Sequence, residues 1–104
     1  MQCMIDSFLK HLQFEKRLSR HTFLAYQTDL HQFSNFLLQF FSVTDVAASD
    51  HHMVRSWIVQ LVESRVEPVS VNRKIACLRT FFRFLLAQGW ISKDPMTRIS
   101  VLKT

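Results

Sequence analysis

Apolar residues recur along this chain at alternating intervals of three and four, the period of one face of an α-helix. The clearest run lies between Ser70 and Gly89, where Val71, Ile75, Leu78, Phe82 and Leu85 step by four, three, four and three. Those five positions predict a buried face. At about 100° per residue, Asn72, Ala76, Arg79 and Arg83 fall on a second stripe turned away from the first, with Arg73 beside it. This stripe carries arginine and no acid, so it either keeps the helix solvated or meets an anionic partner. Being outward, it predicts that Arg79→Ala leaves stability unchanged. Ser70 is suited to cap the helix start, and Gly89 to take the left-handed conformation that closes its end.

Three further periodic segments precede this one. Ile5, Phe8, Leu9 and Leu12 predict a first helix over about residues 3–17. Ser19 then offers an N-cap to a second helix reaching about Phe41, with Tyr26, Leu30, Phe33, Leu37 and Phe40 on its inner face and the Tyr26 ring buried. After an irregular connection, Ser49 and Asp50 cap a third helix with Val54, Trp57, Ile58, Leu61 and Val62 inward. Pro68 ends it, because the residue before a proline is disfavoured in the helical region. After Gly89, Trp90 and Ile91 pack back on the core and residues 93–96 turn into a short final segment. The prediction is a small all-α bundle of four to five helices, a class that serves catalysis, DNA binding and protein association alike.

The chain has 104 residues with 48% hydrophobic content, enough for one domain with a modest core. Its formal charge of +5 favours a polyanion, either nucleic acid or an anionic membrane surface. No apolar run reaches the roughly 18 residues a membrane span needs, and the first residues lack the features of a signal peptide. The expected location is the cytoplasm, in association with the nucleoid. Cys3 and Cys77 are too few for a disulfide framework and read as reduced small hydrophobes.

Little in the sequence points to reaction chemistry. His11, His21, His31, His51 and His52 include no pair at the three or four spacing that puts two metal ligands on one helical face. The adjacent His51 and His52 read as solvated. No Ser or Cys stands in a recognisable nucleophilic set, so no catalytic residue, metal, cofactor or small-molecule substrate is expected.

Two motifs are more specific. Ser19, Thr22, Tyr26, Asp29, Leu30, Phe33, Phe36 and Leu37 resemble the S-x-x-T-x-x-x-Y-x-x-D-L-x-x-F-x-x-F-L opening of the N-terminal core-binding domain of tyrosine recombinases, of the phage integrase and Xer type. Residues 70–85, with Gly89-Trp90-Ile91 and Asp94-Pro95-Met96, are similar to that domain's last long helix and its exit. The resemblance implies a SAM-like fold that forms one half of a clamp around a recombination half-site. Its second and fourth helices would approach the major groove. On this chain they would offer Arg20, His21, Thr22 and Ala25 from the second helix, and Ser70, Asn72, Arg73 and Arg79 from the fourth, with Arg83 on the same stripe. Hydroxyls and helix-start N–H groups suit phosphates, while Arg or Asn suits base edges.

The implied partners are double-stranded DNA and further recombinase protomers, which the first helix would help to meet. The family's nucleophilic tyrosine and its Arg, Lys and His partners belong to a following domain. Residues 1–99 are therefore expected to be the DNA-binding domain and 100–104 the start of a linker, with no enzyme activity in this chain alone. Glu67-Pro68-Val69 departs from the glycine-containing loop common before the fourth helix, stiffening it and placing an acid near the phosphates. The competing readings are a small basic helical protein-interaction module and, behind it, a membrane-surface binder.

Overall fold

The computed structural model describes residues 2–102, without the side chains of Gln2 and Cys3, so the expectations for Cys3 and for linker residues 103–104 lie outside the described residues. The secondary structure is helical throughout: α1 (Gln2–His11), α2 (Arg20–Phe41), α3 (His51–Glu63) and α4 (Pro68–Ala87). No strand occurs among the described residues, as the periodicity predicts. The chain divides into two compact units, Met1–Val46 and Ala47–Thr104.

In the first unit α1 is shorter than its apolar pattern suggests. It passes at Leu12–Lys16 into a single π-helical turn, which Arg17 closes at φ 51°. Ile5, Phe8, Leu9 and Leu12 are buried, whereas Phe14, on the π turn, is 71% exposed. Ser19 caps α2 as expected, its Oγ accepting from the Thr22 N–H at 3.2 Å. Leu30, Phe33, Phe36 and Leu37 form the buried stripe of α2. Tyr26 is only half-buried. Phe40, expected inward, is exposed in the last turn, its ring tilted against Phe36 at 4.9 Å.

In the second unit Asp50 caps α3, accepting from the Met53 N–H at 3.0 Å. Val54, Trp57 and Leu61 are buried, while Ile58 is half-buried and Val62 is exposed. The helix thus hides a narrower stripe than the five positions read from its sequence. The solvated histidine pair is corrected too: His52 is exposed, but His51 is half-buried and its Nδ1 is enclosed without a hydrogen-bond partner among the described residues.

The start of α4 is the largest local departure. Ser70 is not the cap, since the helix already begins at Pro68 with Glu67 at the N-cap position and no side-chain capping bond. Proline at the first helical position costs nothing, because its missing N–H would have had no helical partner and its φ is already set. Pro68 thus starts α4, whereas α3 has already ended at Glu63. Val71, Ile75, Leu78, Phe82 and Leu85 are all buried, joined on that face by Lys74, Cys77 and Phe81.

Both helices of this unit close in the same way. At the end of α4 the Gly89 N–H donates to Leu86 and the Trp90 N–H to Leu85, each at 3.0 Å, and the Trp90 ring meets Phe84 edge-on at 5.9 Å. This is the Schellman closure with its apolar contact. Arg65 and Val66 repeat the bonds at the end of α3, with Arg65 at φ 63° where Gly89 has φ 76°. A Cβ on Gly89 would meet nothing within 4 Å, so only backbone conformation opposes a side chain there. Gly89→Ala is therefore expected to cost about 1 kcal/mol and Arg65→Gly to gain a similar amount. Urea denaturation of the two variants checks this, and equal signs would contradict it.

Candidate nucleic-acid interface

The expected contact residues fall in both units, at the start of α2 in the first and along α4 in the second. At the start of α2, Arg20 and His21 are exposed, and Thr22 and Ala25 are half-buried. Ser19 accepts from the Thr22 backbone and donates to Thr22 Oγ1 at 3.0 Å. The Phe23 N–H makes the first helical bond, to Ser19 at 2.9 Å. The N–H groups of Arg20 and His21 thus have no intrahelical acceptor, and the Thr22 hydroxyl keeps its own proton to donate. A helix start with open donors beside a guanidinium is chemically suited to a phosphate.

The earlier start of α4 leaves Ser70 in the first turn, half-buried, where its N–H still has no intrahelical acceptor. Glu67 stands exposed at the N-cap position with no capping bond, an acid beside those donors. Along the outer stripe, Arg73, Ala76 and Arg83 are exposed.

Asn72 and Arg79 are not open in the same way. Asn72 Nδ2 donates to the Leu102 carbonyl at 3.0 Å while its Oδ1 accepts from the Leu102 N–H at 2.7 Å. Arg79 Nη2 donates to the Ile99 carbonyl at 2.6 Å. Both side chains are half-buried by these contacts. The expectation that Arg79→Ala is neutral for stability does not fit a guanidinium tied to the backbone. Upstream, Asp94 caps a tight turn by accepting from the Met96 N–H at 2.9 Å, and Met96 and Ile99 are buried.

Two buried charges escaped the sequence reading as such. Asp29 is fully buried and Lys74 is 6% exposed. Each lies on an apolar stripe by spacing, Asp29 between Tyr26 and Leu30 and Lys74 between Val71 and Ile75, which was the available signal. Neither lacks a partner, as burial of a charge requires. Cys77 is a free, buried thiol. No helix among the described residues is long and apolar enough to cross a membrane, and no three metal-ligating side chains converge.

The family model for the phage integrase N-terminal SAM-like domain matches residues 5–89. The chain belongs to this family. Both sets of residues described above fall inside the matched segment of the SAM-like domain, whereas the stretch bonded to Asn72 and Arg79 lies beyond it. Similar curated proteins carry the same message. A tyrosine recombinase XerC of Roseiflexus castenholzii is 38% identical over 101 residues, covering 95% of this chain and 31% of the relative. A tyrosine recombinase XerC of Oceanobacillus iheyensis is 34% identical over the whole chain and 34% of its own length. A tyrosine recombinase XerD of Listeria innocua is 36% identical over 99% of this chain and 35% of its own length. The SAM-like chain thus spans about a third of the length of the curated relatives it matches. No solved structure matches it.

Proposed function

We infer that this chain is the DNA-binding part of a site-specific tyrosine recombinase, which grips duplex DNA at a recombination half-site for integration or recombination. The observation that carries this reading is the exposure of Arg20 and His21 at the open start of α2, and of Arg73 and Arg83 along α4. The formal charge of +5 supports the same partner by long-range attraction. In this reading the helix-start N–H groups and the hydroxyls of Thr22 and Ser70 hold phosphates. Arg73, Arg79, Arg83 and Asn72 supply groups able to reach base edges. The nucleophilic tyrosine and its partners reside outside these residues. Other protomers on the same DNA are the second partner, with α1 as the contact, and the protein works in the cytoplasm on the nucleoid.

The test compares substitutions by kind of loss. The duplex that the chain selects from a random pool is set against an unselected one. Arg73→Ala is expected to cost about 1–3 kcal/mol on the selected duplex and much less on the other, as loss of a discriminating contact does. Thr22→Ala is expected to weaken both equally. Fluorescence anisotropy gives the four affinities, and equal losses for Arg73→Ala on both duplexes would move base reading off α4.

A further inference from the structure

Asn72 and Arg79 stand seven residues apart on α4, and their partners Leu102 and Ile99 stand three apart in the opposite order. Seven helical residues rise roughly 10.5 Å at about 1.5 Å each. Three residues span at most about 10–11 Å. The stretch 99–102 thus runs antiparallel to α4 with its carbonyls in step with two side chains of the stripe. Asn72 engages Leu102 through both its donor and its acceptor, the same pair an asparagine presents to an adenine edge. Arg79 spends a charged donor on a neutral carbonyl, a weaker bond than it makes with a phosphate or another anionic oxygen.

We propose that residues 99–102 form a strap that competes with nucleic acid for Asn72 and Arg79, so that duplex binding along α4 and release of the strap are coupled. The proposal rests on the reading of α4 as a DNA-contacting helix. With the strap docked, Arg73 and Arg83 remain exposed and make the first encounter with the polyanion. Release then frees a bidentate amide and a guanidinium that were already satisfied, so neither is left orphaned when no DNA is present.

Hydrogen exchange at the Leu102 amide, which is held by Asn72 Oδ1, reads the strap directly in the 104-residue chain. A saturating mixed-sequence DNA duplex is expected to speed that exchange roughly tenfold while the Leu78 amide in the middle of α4 is unaffected. Leu102→Pro removes the N–H without altering any side chain of α4, and is expected to tighten binding of the same duplex about three- to tenfold. A duplex that binds, shown by anisotropy, yet leaves Leu102 exchange unchanged overturns the strap and leaves DNA binding standing. So does a Leu102→Pro chain that binds no tighter. Absence of any anisotropy change overturns the DNA reading itself and the strap with it.

Discussion

Phe82→Ala is expected to destabilise the chain by about 3–5 kcal/mol, the range for emptying a fully enclosed phenylalanine site. Phe82 is fully buried and its ring meets Phe81 edge-on at 5.3 Å, so truncation removes both transfer free energy and an aromatic contact. Against a total of about 5–15 kcal/mol for an ordinary domain, that loss is a large part of the stability margin. Arg83, next in sequence but exposed, is the control, with an expected change within about 0.5 kcal/mol. Arg79→Ala falls between them at about 1 kcal/mol, because its guanidinium holds the Ile99 carbonyl. Urea titration followed by circular dichroism ranks the three. A Phe82→Ala loss below that of Arg79→Ala would show that the apolar stripe of α4 is not what holds this unit together.

The four helices were legible because their apolar residues keep the helical period over several turns. On α4 all five expected inward positions are buried. The ends of stripes were less legible: Phe40 and Val62 continue the period but lie in last turns where the chain no longer covers them. The start of α4 was misread because Pro68 carries two meanings, a stop for the helix before it and a favourable first residue for the helix after it. Glycine was expected to close helices, and does so at Gly89, yet Ser42 and Arg65 take the same left-handed conformation without that signal.

The candidate site was legible only in part for a related reason. Periodicity says which way a side chain leaves its helix, and it put Asn72 and Arg79 on the outer stripe. It carries no information on a segment twenty or thirty residues later that returns to cover that stripe. Nor does it separate a buried charge from an exposed one, as Lys74 illustrates on the inner face. The motif positions Asp29 and Ser19 turned out to be structural within this chain, one buried and the other capping α2, while Arg20, His21, Arg73 and Arg83 are exposed.

The second large expected effect is the salt dependence of duplex binding. A chain of formal charge +5 that neutralises about five phosphates releases a matching number of condensed counterions. Its log affinity should then fall against log salt with a slope of about −4 to −5. Between about 50 and about 200 mM salt that slope is a loss of roughly 500-fold in affinity. Protein association through a mixed surface gives a much shallower dependence, since its core contacts are apolar and little screened. The decisive measurement is therefore fluorescence anisotropy of a labelled DNA duplex titrated with the chain across that salt range. Saturable binding with a slope of about −4 to −5 is expected, and a slope near zero, or no binding at the lowest salt, would contradict duplex binding by this chain.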